Sequence, residues 1–256
     1  MNATMRKVGA LFAKDAADLV KNPSMLICSL LPVAFALLYR FVFADLGEAV
    51  DAAAVDQTAA AAAHGSLDAL LLSIMICTSI GMVVSMAIVY GIAEEKEKRT
   101  LRTLMLANVH GSEIVASRGA VALAATVLVA AVCFFVVGAD PALFPAYLGL
   151  TALGCVPVIL LSLVLGLAAR DQMTAGLYVV PILIAAFGPL FGTYDETAAA
   201  VVKWLPTGGA TQLMQLAAAG ELFSPDAVAP LATCLAWTAF GAVLFALLYR
   251  RLLRDN

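Results

Sequence analysis

Charge is what this sequence has least of: 13% of its 256 residues are Asp, Glu, Lys or Arg, about half the share of a soluble globular domain. With 63% of the chain hydrophobic, too little polar surface remains to cover a water-soluble core, which excludes that class. Histidine is nearly missing, with only His64 and His110. The five cysteines, Cys28, Cys77, Cys133, Cys155 and Cys234, show no CxxC or other metal-ligand spacing and read as small packing residues. No catalytic residue and no metal site is expected. The dipeptide Gly-Lys never occurs, so there is no GxxxxGK(S/T) phosphate loop, and nucleotide energy can reach this chain only through another polypeptide. No acid or base stands in the middle of an apolar run, which disfavours an ion or proton pathway.

What is there in quantity is long apolar sequence. Uncharged runs cover 22–39, 69–93, 119–139, 142–169, 172–194 and 227–249. A spanning helix needs about 20 such residues at 1.5 Å each, and uninterrupted runs do not fit a barrel, whose strands alternate over about 10 residues. The expectation is an all-α integral membrane protein with six transmembrane helices, over about 24–43, 69–93, 119–138, 143–168, 173–193 and 227–249. The first run follows some 22 polar and amphipathic residues and reads as a retained helix rather than a cleaved signal. Thirteen of the 15 basic residues fall on one side of that topology, which makes it the cytoplasmic side and puts both termini there. The outer connections carry Asp45, Glu48, Asp51 and Asp56, then Asp195, Glu196, Glu221 and Asp226.

Ahead of the first span, Met5, Val8, Phe12, Ala16 and Leu19 recur at helical spacing, with Arg6, Lys7, Lys14, Asp18 and Lys21 on the other side. An interfacial helix over 5–21 follows, lying in the headgroup layer, either as an anchor or as a lever touching a cytoplasmic partner. The outer connection 44–66 is alanine-rich and carries no binding motif, fitting a short helix or a loop. Between the last two runs, 197–205 and 210–219 are apolar but half the spanning length, separated by Pro206, Thr207, Gly208 and Gly209. They fit short re-entrant outer helices before the last span, with Trp204 at the headgroup boundary.

Residues 94–118 concentrate nine of the 33 charges. If the second helix runs on through Met105, Glu94 pairs with Lys98 and Glu95 with Arg99 in the favourable acid-first i,i+4 order, and Leu101, Leu104 and Met105 form an apolar stripe beyond them. Asn108 and Gly111 can end that helix, and Ser112 can cap the next. The segment reads as a cytoplasmic hairpin with one charged half and one apolar contact face.

Here the chain resembles a family, the permease subunits of ABC type-2 exporters, whose second helix leads into an EE(K/R)E-x-G-T run, a short turn and a Ser-x-x-E-hydrophobic entry to the third helix. The match reads Glu94-Glu95-Lys96-Glu97, Thr100-Leu101, Leu104 and Ser112-Glu113-Ile114, with Arg99 where a glycine is frequent. The stretch 169–173 entering a proline-containing fifth helix also looks like small drug or bacteriocin exporters of the family. The resemblance implies a single ABC type-2 transmembrane domain over 1–256 and a second permease chain, as homo- or heterodimer. A separate cytoplasmic ABC ATPase, which holds ATP and Mg, would act on Glu94, Glu95, Lys98, Arg99, Leu101, Leu104 and Met105. It implies a substrate route along the second and fifth helices, at Ser73, Met75, Thr78, Ser79, Met82, Ser85 and Met86 and at Pro181, Gly188, Pro189 and Gly192. The cargo expected from that weakly polar wall is amphiphilic: a drug, a lipid-like compound or a small peptide. Surrounding lipid is a partner; nucleic acid is not.

Two other readings share parts of this pattern. Glu94 to Arg99 also matches EExxxR, the signature of intramembrane glutamic proteases, but that chemistry needs a histidine on a neighbouring span and a low-dielectric pocket around the glutamate. His64 and His110 lie outside the spans, and the glutamates stand among five charges. A non-transporting scaffold or sensor subunit would share the topology and need no ATPase.

Overall fold

In the computed structural model, residues 3–53, 57–98, 110–193 and 196–254 are described, and every regular element among them is helical. The chain is an all-α membrane protein. Ten α-helices lie among the described residues: α1 (Ala3–Lys21), α2 (Pro23–Ala53), α3 (Gln57–Val84), α4 (Gly91–Glu97), α5 (Gly111–Val137), α6 (Phe144–Ala168), α7 (Gln172–Phe187), α8 (Glu196–Val202), α9 (Gly208–Ala218) and α10 (Val228–Arg254). Among the described residues, six segments are long and apolar enough to cross a bilayer: Pro23–Val42, His64–Glu97, Gly111–Val137, Pro141–Ala168, Gln172–Gly192 and Pro225–Leu248.

The second of these is the axis of the molecule. Its apolar window is 83% buried, against 17% for the last span and 22% for the first, because α2, α5, α6, α7 and α9 all pack around α3. Hydrophobicity on every side is the sequence mark of such a helix. It is also the longest, 34 residues or about 50 Å at 1.5 Å per residue, well beyond a hydrocarbon layer of about 30 Å. A π-helical segment, Ser85–Tyr90, joins α3 to α4, so residues 94–97 are the projecting end of the central helix. Close approach there depends on missing side chains. A Cβ on Gly166 of α6 would lie 3.2 Å from Val89 Cα, and one on Gly154 would lie 2.8 Å from Ala210 Cβ of α9.

The faces of α1 divide differently from the sequence expectation. Leu11, Asp15 and Leu19, at i, i+4, i+8, are the buried line against the bundle, whereas Phe12 and Val20 face outward. An aspartate therefore lies on the protein-facing side of an amphipathic helix. The entry to α5 also differs. The helix starts at Gly111 with His110 as N-cap, and the Glu113 carboxylate accepts from the His110 amide at 3.0 Å. Ser112 is already inside the first turn, and the left-handed glycines among the described residues are Gly138 and Gly220 rather than Gly111.

Candidate functional site

Residues 94–97 each reach a different part of the bundle. Glu94 accepts a hydrogen bond from Asn22 Nδ2 at 2.9 Å, at the junction of α1 and α2, and holds Lys98 one turn on. Glu95 turns inward and is buried; its Oε1 lies 2.8 Å from Arg118 Nη2 of α5 and also binds Lys14 of α1. Lys96 donates to the carbonyls of Leu167 and, at 3.0 Å, Ala169, where a cation suits the negative end of α6. Glu97 accepts from the Gln172 amide at 3.2 Å, at the positive end of α7. One short acidic-basic run thus ties the end of the central helix to α1, α5, α6 and α7.

Arg118 is the centre of this arrangement. It is almost fully buried, and besides Glu95 its guanidinium lies 3.5 Å from Asp15 Oδ1 of α1. Asp15 is oriented by the Ser117 hydroxyl, which donates to its Oδ2 at 2.6 Å. Nη1 of Arg118 lies 3.4 Å from the Ala87 carbonyl in the π segment. Gly91 makes room for it: a Cβ there would sit 2.5 Å from that nitrogen. Lys14 completes the cluster, 3.2 Å from Asp18 and 3.5 Å from Asp15. Burial pulls the Lys14 ammonium toward neutrality, but the bound Glu95 carboxylate outweighs it and raises the pKa above the ordinary lysine value. Asp15, Asp18 and Glu95 are spaced closely enough to hold a cation, and the charge among them is Lys14's own ammonium. A cleft of about 590 Å³ opens beside the cluster, lined by Lys14, Asp18, Lys21, Asn22, Glu94 and Lys98 together with Pro23, Met25, Gly91, Glu95 and Arg118.

The residues singled out in the sequence are placed unevenly. Glu94 and Lys98 form the expected i,i+4 pair. Arg99, Leu101, Leu104 and Met105 lie outside the described residues. Glu95 departs from its expected surroundings, since it is buried against α1 and α5 rather than set among solvated charges. On the proposed route, Ser73, Met75, Thr78 and Ser79 are buried within the chain's own bundle, whereas Met82 and Met86 are half-buried. The hydroxyls of Ser73, Thr78 and Ser85 donate back to carbonyls of their own helix, at 2.7 Å to Ala69, 2.9 Å to Ile74 and 2.6 Å to Gly81. Pro181 is exposed on α7, Gly188 buried, and Pro189 and Gly192 half-buried near the C-terminal end of that span. No sequence motif marks Asp15 or Ser117. The signal for Asp15 was available, an acid one turn from Leu11 and Leu19 on a helix that buries that face.

The histidines do not serve the glutamates. His110 Nδ1 lies 3.8 Å from Glu113, and His64 stands near the start of α3, at the other end of the central span from Glu95.

No curated protein matches this chain. The sequence model of a family described as ABC-2 family transporter protein matches residues 55–250. That interval contains the central helix, the 94–97 run and all of α5 to α9, more than three quarters of the molecule, and the chain belongs to the ABC-2 transporter family.

Proposed function

We propose that this membrane subunit is the permease of an ATP-driven exporter, paired with a second permease chain and driven by a cytoplasmic ABC ATPase that holds ATP and Mg. The observation that carries the reading is the four-way attachment of residues 94–97 at the projecting end of the buried central helix. A push delivered just beyond Lys98 acts on a lever already fastened to α1, α5, α6 and α7. The apolar stripe Leu101, Leu104 and Met105 is where the ATPase would dock, with Arg99 beside it. Both termini face the cytoplasm in this proposal, in a prokaryotic inner membrane, on the strength of the basic-residue distribution.

The cargo proposed is an amphiphilic small molecule, drug, lipid-like compound or small peptide. Within the route, Met82 and Met86 on the central helix and Pro181 on α7 are the accessible wall, because Ser73, Met75, Thr78 and Ser79 are closed off by neighbouring helices. Methionine suits such a wall, being polarizable and flexible enough to fit varied shapes. Against a protease stands the occupation of Glu95 by Arg118 and Lys14, which leaves it poorly placed to activate water.

The test is co-expression with a cytoplasmic ABC ATPase from the same source. Leu104→Asp is expected to abolish stimulation of ATP hydrolysis while the membrane domain stays folded and monodisperse. Persistence of ATPase association and transport in that variant would refute the docking assignment.

A further inference from the structure

We infer that Arg118 is a positioning residue that sets the rotational register of α4 by holding the π-helical segment Ser85–Tyr90 open, with Gly91 as its cradle and Asp15 and Glu95 as its anchors. The inference rests on the permease reading above and deepens it, since it names what lets α4 pass motion to its neighbours.

A π turn accommodates one residue more than the α-helical ladder would, and such turns cluster at functional sites. If the segment relaxed by one residue, everything beyond it would rotate by about 100°. Residues 94–97 have partners in separate elements on several sides, so that rotation would break all four attachments together. Something must hold the wider turn. Gly91 donates to Met86 and Ile88, bypassing Ala87, the carbonyl it would use in an α-helix; that carbonyl receives Arg118 Nη1 instead, at 3.4 Å. Ala87, Gly91 and Glu95 recur at intervals of four, and Arg118 meets all three. Its second acid, Asp15, belongs to α1, so the guanidinium that secures the turn also ties the interfacial helix to it. The arrangement suits registry better than raw stability, because buried ion pairs recover little beyond their desolvation cost. It also gives α1 a role inside the chain: its polar residues Lys14 and Asp15 are engaged by the chain's own α4 and α5, making α1 a strut of the moving unit.

The experiment uses the full chain, on a Cys28→Ser background, purified with its ATPase. Spin labels on Lys21→Cys and Lys98→Cys, which line the same cleft, report the α1 to α4 distance; ATP hydrolysis by the complex of the unlabelled chain, with Lys21 and Lys98 intact, over that of the ATPase alone reports coupling. Arg118→Lys keeps the charge and loses the fork; Gly91→Ala keeps every charge and fills the cradle. Both are expected to shift or broaden the distance distribution and to lower the stimulation roughly 5- to 150-fold, the usual range for a coupling between sites, with ATPase binding retained. A wild-type distance distribution in both variants overturns the inference, and so does unchanged stimulation despite a shifted distance. If Arg118→Lys fails to fold, Gly91→Ala decides by the same two readouts. If the unmutated chain neither binds nor stimulates the ATPase, it is the permease reading that falls, and the distance arm still decides the register.

Discussion

Thr207 is fully buried in the turn between α8 and α9, and its hydroxyl lies 2.9 Å from the Ala186 carbonyl and 3.1 Å from that of Ala185. The reason is four residues downstream of Ala185: Pro189 has no N–H to give back, so the end of α7 carries a carbonyl without its helical donor. The neighbouring glycines serve the same junction. A Cβ on Gly209 would sit 2.3 Å from the Pro230 carbonyl, so α9 lies directly on α10, and one on Gly188 would sit 2.1 Å from Leu205 Cδ1, so the Leu205 side chain fills the space beside the end of α7. Thr207→Val, nearly the same shape without the donor, is expected to cost about 1–3 kcal/mol, the penalty of a buried acceptor left unpaired. Thermal unfolding in detergent should show a clear fall in midpoint for Thr207→Val and near-recovery for Thr207→Ser.

The junction between α4 and α7 supplies an element-scale test with a defined pH dependence. Asp171 is the N-cap of α7, accepting from the Thr174 hydroxyl at 2.6 Å and its amide at 2.7 Å. Those bonds hold its carboxyl below the ordinary aspartate value. A depressed pKa means that the cap is in place above about pH 4, the unfolded value, and is lost as pH falls through the folded one. Exchange protection of the amides at 173–175, corrected for intrinsic rates, should therefore drop on acidification in the native chain. It should stay level in Asp171→Asn, which caps without titrating, and be low throughout in Asp171→Ala. Elements of this kind are readable in a sequence because their causes are local. The six apolar runs, the short helices around 206–209 and the Glu94 to Lys98 pair all follow from spacing within a few residues. Glu95 and Arg118 are different. The sequence offers Arg99 as the nearer cation for Glu95, and only packing of α1, α4 and α5 brings in Arg118 and Lys14, which is 81 positions away. The π segment is equally hidden, since nothing in Ser85 to Tyr90 departs from ordinary helix-forming sequence; what marks it is Arg118, 31 positions from Ala87.

At the scale of the molecule, the two ends of the bundle are distinguished by their locks. Arg40 donates to the Val136 carbonyl at 2.9 Å, and the Asp140 amide donates to Asp68 at 3.2 Å, at the end where α5 turns into α6. The opposite end holds the charge cluster, the cleft and Lys21. A protein pushed by a soluble ATPase needs the second end in the cytoplasm, and that requirement can be checked with thiol labelling. The native cysteines give little background: Cys77, Cys133, Cys155 and Cys234 are buried and Cys28 is half-buried. Glu221→Cys, in the exposed turn after α9, is expected to react with an impermeant maleimide in intact cells. Lys21→Cys and Lys98→Cys should react only after permeabilisation. The reverse pattern would put the 94–97 run outside the cell, out of reach of any ATPase, and would sink the proposed coupling whatever the family. The expected pattern would place the central helix's projecting end, with Arg118 beneath it, on the face where ATP is available.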